Sequence, residues 1–168
     1  MFFVGICFVA ACAASANAGS PLYEAIKKGD FKLVKSLVEK GADVNEKIGN
    51  YGTPLVLALD CRKFDIAKFL VEKGADVNGK VEVTFSEVID DPNAEPDSYA
   101  TITVTKTKKI YFAPLKSAAN TGNLEMVKYL VERGADVNLA YCDTGSTPLH
   151  SAVRKGPLEV VRYLVEKG

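Results

Sequence analysis

Apolar residues along this chain follow two rhythms, and the switch between them marks out its architecture. Over most of residues 19 to 168 the spacing is helical: Leu22, Ala25 and Ile26 share one face of a short helix, and Leu149, Ala152 and Val153 repeat the spacing. A second helix follows, carrying Leu33-Val34-Leu37-Val38 or its equivalents. Ser or Thr before Pro opens the first helix. The hydroxyl accepts from an otherwise unpaired N–H, and Pro at the first helical position lacks only a hydrogen bond that would not form there. Gly29, Gly122 or Gly156 then breaks the chain, the second helix opens with Asp30, Asn123 or Pro157, and Gly41, Gly74 and Gly134 close it in the left-handed cap position.

This unit recurs. Leu37-Val38-Glu39-Lys40-Gly41-Ala42-Asp43-Val44-Asn45 returns unchanged at 70–78, returns with Arg133 for Lys at 130–138, and begins again at Leu164. The opening prolines Pro21, Pro54, Pro114 and Pro148 step by 33, 60 and 34 residues. No helix pair this short buries its own apolar face, so the units must stack and share a core. The expected fold is an all-α repeat solenoid of about four units, near 19–50, 51–78, 111–143 and 144–168.

The long middle step contains the second rhythm. Val81, Val83 and Phe85 alternate with Glu82, Thr84 and Ser86, and Ile102 and Val104 alternate with threonines, a period of two that predicts strands. Between them lies the polar, proline-broken run Asp90-Asp91-Pro92-Asn93-Ala94-Glu95-Pro96-Asp97. A β-hairpin inserted over about 79–110, between the second and third units, accounts for both strands. Two roles remain open for it: a recognition finger, or a loop expansion without function, since surface insertions cost little stability.

The Thr-Pro-Leu-His marker at 147–150, the mid-unit glycines and Leu-Val-Glu-Lys-Gly-Ala-Asp-Val-Asn together resemble the ankyrin-repeat family. The resemblance covers most of 19–168 outside the insertion. It implies a curved stack of antiparallel helix pairs with loops projecting from one side, acting as a protein-binding scaffold. It also implies partner contacts along loop tips and first-helix ends, here Asn50, Asp60, Phe112, Asn120, Asp143, Thr144 and Arg154. Cys61 falls in the same row, so its thiol is expected to face solvent. Two residues depart from the pattern: Ala113 lacks the capping hydroxyl, and Arg62 stands where a mid-unit Gly is expected, so a non-Gly residue would take positive φ.

Met1 to Ala18 stands outside this balance, with no charged side chain and a run of Phe, Val, Ile and Ala ending in Ala16-Asn17-Ala18. The run is short of the ~20 residues that span a membrane, and its small-x-small ending matches a signal-peptidase site. Residues 1–18 are thus expected to be a signal peptide, and the mature chain to be extracytoplasmic, either secreted or periplasmic. A buried N-terminal helix and a lipid anchor at Cys12, within Val9-Ala10-Ala11-Cys12, are the other readings; membrane attachment enters only through the last. No Lys or Arg precedes the apolar run.

Charge and chemistry narrow the function. Lys plus Arg and Asp plus Glu both number 21, so no net field draws in nucleic acid. His150 is the only histidine, and with Cys61 and Cys142 in different units it cannot furnish a four-ligand zinc site; by resemblance it hydrogen-bonds its own Thr147-Pro148 turn. The acidic tip does not match the EF-hand spacing, and no phosphate loop or nucleophile motif is present. The expectation is a non-enzymatic scaffold with a protein partner, and no cofactor, metal, nucleic acid or small-molecule substrate. The alternative is a scaffold segment of a longer protein whose activity lies outside residues 1–168. N-terminal sequencing of the exported protein should return Gly19 as first residue; soluble cytoplasmic protein still beginning at Met1 would make the leader structural.

Overall fold

A computed structural model describes residues 20–47, 52–89, 104–141 and 145–168, with only the backbone described over 83–110. Among these residues eight helices form four antiparallel pairs: α1 (Pro21–Lys28) with α2 (Phe31–Glu39), α3 (Pro54–Asp60) with α4 (Phe64–Glu72), α5 (Pro114–Thr121) with α6 (Leu124–Glu132), and α7 (Pro148–Lys155) with α8 (Leu158–Lys167). The first helices α1, α3, α5 and α7 stack in sequence order, and the second helices lie behind them. Ala25, Ala58, Ala118, Ala119 and Ala152 are fully buried on the first helices, where their small size lets neighbouring backbones approach. Leu22, Leu55, Leu59, Leu70, Leu130 and Leu164 fill the space around them in one core running through all four pairs.

The capping chemistry follows the expected residues at three helix starts but not at the first, where Ser20 makes no cap bond and its hydroxyl instead donates to Glu46 Oε1 at 2.7 Å. Thr53 Oγ1 accepts from the Val56 N–H at 3.4 Å, Asp30 Oδ1 from Leu33 at 3.0 Å, and Asn123 Oδ1 from Met126 at 2.9 Å. Ala113 has no side-chain cap, as its missing hydroxyl dictates. Arg62 does adopt φ +57°, where Gly29 and Gly122 take +76° and +72°. The left-handed conformation costs an L-residue with a Cβ roughly 1–2 kcal/mol.

Each of the three Ala-Asp-Val-Asn turns closes its own repeat, and the first two also grip the next. Asp43, Asp76 and Asp136 each accept from the N–H two residues on, at Asn45, Asn78 and Asn138, all at 2.8 Å. The asparagines then reach across. Asn45 donates through Nδ2 to the Gly74 carbonyl at 3.1 Å and accepts from the Asp76 N–H at 2.8 Å. Asn78 does the same to Gly134 at 2.9 Å and Asp136 at 2.8 Å.

Asn78 makes these bonds across the insertion, so the inserted segment leaves the stack without interrupting it. Strands β1 (Val81–Ile89) and β2 (Val104–Phe112) pair antiparallel, with register running from Val81 opposite Phe112 to Ile89 opposite Val104. The hairpin therefore reaches Phe112, two residues beyond its expected limit at 110, and Lys106, Lys108 and Lys109 are strand residues. Ile102 and the acidic tip lie outside the described residues. Asn78→Ala removes both bonds of its rung, and because they are exposed the expected loss is about 1–2 kcal/mol of unfolding free energy. Urea denaturation measures it, and an unchanged midpoint would mean that apolar packing alone joins the two halves.

Candidate partner-binding face

Because α3, α5 and α7 are stacked in register, the residues six positions after each opening proline fall in one row: Asp60, Asn120 and Arg154, with Lys27 before them on α1. Arg154 is exposed at the end of its helix. Asn120 is half-buried, and its Oδ1 is shielded from solvent with no hydrogen-bond donor. Cys61 differs from expectation: it is half-buried and packs against the hydrophobic core, so its thiol does not stand fully in solvent. The end of α3 turns it inward, since Cys61 is the C-cap and its N–H still bonds the Leu57 carbonyl at 2.9 Å. Asn50, Asp143, Thr144 and Cys142 lie outside the described residues.

Phe112 is half-buried at the root of the hairpin, beside a cluster that the sequence pattern does not single out. Lys116, on the first turn of α5, donates to the Tyr111 carbonyl and stands 5.8 Å from the centre of the Phe112 ring and 4.9 Å from that of Tyr141. Tyr141 is itself buried, its hydroxyl 2.6 Å from Ser151 Oγ on α7. One ammonium group thus joins the hairpin root to α5 and, through Tyr141, to the last repeat. Lys80 adds a second tie, donating to the Ala140 carbonyl at 3.2 Å. The signal in the sequence is faint: three aromatic residues, Tyr111, Phe112 and Tyr141, sit in segments that pattern alone assigns to loops.

His150 accepts the Thr147 N–H on Nδ1 at 3.1 Å, and the Thr147 hydroxyl lies 3.0 Å from the same nitrogen, so its ring serves its own turn. Among the described residues no cluster of three or more His, Cys, Asp or Glu is placed to hold a metal ion, and no helix is long and apolar enough to cross a membrane. On the opposite side of the stack, an open groove of about 260 Å³ between α6 and α8 is lined by Leu124, Leu158 and Tyr163 with charged residues of both signs. Nearby, Lys68 and Glu125 pair at 2.6 Å; the bond raises the lysine's pKa and lowers the glutamate's, and both groups are exposed.

A family model described as ankyrin repeats (3 copies) matches residues 6–81 and 100–168 of the chain. No curated protein matches it.

Asp60 carries an electrostatic perturbation. The residue is exposed, yet crowding around its carboxyl raises the pKa above the ordinary 3.8, against a hydrogen bond from Ser117 and the charge of Lys116, which lower it. An acid whose pKa is raised by folding favours the folded state when protonated. Its contribution is full below 3.8 and is lost as pH rises through the raised midpoint. An NMR titration should place the Asp60 midpoint above 3.8, and Asp60→Asn should flatten the associated decline in stability toward neutral pH. A midpoint at or below the ordinary value would mean that Ser117 and Lys116 outweigh the crowding.

Proposed function

Since the chain belongs to the ankyrin-repeat family, whose repeats mediate protein–protein interaction, we propose that it is an exported, non-enzymatic scaffold that grips one protein partner with three surfaces together. These are the first-helix row, the repeat loops and the inserted hairpin. The observation that carries this reading is the hairpin root: Lys116 and Tyr141 fasten it to α5 and α7, the helices that carry Asn120 and Arg154 at their far ends. A hairpin fixed in this way presents its strands at a set angle to the row, and preorganisation reduces the ordering entropy lost on binding. Export rests on the leader alone, and on the Ala16-Asn17-Ala18 ending it carries.

The hairpin also brings chemistry of its own. A two-stranded sheet offers unpaired backbone edges for strand addition, and its acidic tip would steer association with a basic element of the partner. Affinity capture from the extracytoplasmic fraction, with the mature 19–168 chain as bait, identifies the partner. Replacing residues 79–109 by a short repeat loop should then leave thermal unfolding nearly unchanged and weaken capture. Equal affinity in the shortened protein would reduce the hairpin to a tolerated insertion.

A further inference from the structure

The short turns between first and second helices carry most of their charge as cations. Lys27 and Lys28 end α1, Arg62 and Lys63 follow α3, and Arg154 and Lys155 end α7. All but Lys63 are exposed. Stacking sets these pairs along one edge of the solenoid. Lys63 crosses to the neighbouring repeat, with its Nζ 2.9 Å from where a Cβ on Gly29 would lie. The row is interrupted only at α5, where Asn120 and Thr121 are neutral.

Helix dipoles account for part of this pattern, since cations are favourable in a last helical turn. That accounts for Lys27, Lys28, Arg154 and Lys155. A cation at Arg62, just past the C-cap of α3, gains the same benefit, but the dipole does not account for a residue with a Cβ at this left-handed position. Arg62 is moreover the only described residue other than Gly with positive φ, and the equivalent turns of the first and third repeats use Gly there. A strained backbone held by an exposed cation, where glycine would be unstrained, points to a use for the side chain. The nearest carboxylate in sequence, Asp60, is engaged with Ser117 and Lys116 on α5, and Asp30 caps α2.

We propose that this cationic edge, centred on Arg62 and flanked by Lys28, Lys63, Arg154 and Lys155, is a docking surface for an acidic, extended segment of the protein partner. The inference rests on the scaffold reading above and adds a second contact to it. With helices packed about 8–10 Å apart, three steps from α1 to α7 span about 24–30 Å. At about 3.3 Å per residue this is the reach of about eight extended residues. The hairpin leaves the stack at the other end of α5, about 12 Å away for eight residues of helix. Protein is favoured over nucleic acid because the chain has no net charge and the edge has no row of aromatic rings on which bases could stack.

The probes are a fluorescein-labelled nine-residue Glu/Asp peptide and a single-stranded oligonucleotide of equal charge. Each is titrated at low salt by anisotropy against the mature chain. Arg62→Gly should raise the thermal midpoint by relieving the left-handed strain, and should weaken peptide binding about threefold, as expected for one exposed ion pair. Arg62→Gln should weaken binding equally without raising the midpoint, and Arg62→Lys should bind like the parent. The chain with residues 79–109 replaced should bind the peptide unchanged, which separates failure of this surface from failure of the hairpin reading. Any of three results would overturn the proposal: a lowered midpoint for Arg62→Gly, peptide affinity indifferent to Arg62, or an oligonucleotide bound as tightly with the same dependence on Arg62.

Discussion

The amide of Asn78 bonds to Gly134 and Asp136 across 56 and 58 residues of sequence, and the placement of everything on the candidate binding side depends on contacts of this kind. A helix pair of seven to ten residues per helix exposes more apolar surface than it can cover, so each pair is stable only against its neighbour. Stacking through buried alanines supplies the hydrophobic term, and the asparagine rungs fix the register. Because the same rung forms with and without an insertion between its partners, the hairpin enlarges a loop while the core stays continuous.

Continuity determines what the binding side can be. In a stack with one register, residues at the same position of each repeat fall in a row, so Lys27, Asp60, Asn120 and Arg154 become neighbours although widely separated in sequence. The hairpin is tied at its root to α5, the helix that carries Asn120 at its far end, by Lys116, whose ammonium group meets a carbonyl and two aromatic rings. A continuous stack with a projection tied at its root would present several contact points to a partner at once.

Much of this was legible in the sequence because repetition tests each assignment several times. The helix pairs, the left-handed glycines, the uncapped start at Ala113 and the positive φ of Arg62 all follow from comparing equivalent positions, and His150 makes its expected turn contact. Single-copy features were harder. Lys116 occupies a position held by Tyr23, Val56 and His150 in the other repeats, so nothing periodic announced its role at the hairpin root. Cys61 is half-buried although its row predicts full exposure, because a C-cap side chain turns with the local backbone. The second strand continues through Lys106, Lys108 and Lys109, whose charges hide the period of two from the sequence pattern although the backbone pairing runs through them.

The central claim is that one uninterrupted stack supports a projecting hairpin. Native-state hydrogen exchange on the intact chain, resolved by NMR, tests it most directly. The account predicts that amides of α3 and α4 and those of α5 and α6 open together with the same free energy and the same denaturant dependence, while β1 and β2 exchange through a smaller, separate opening. If the helices before the hairpin and those after it opened independently, with different free energies, the hairpin would divide the protein into two domains and the shared row could not act as one surface.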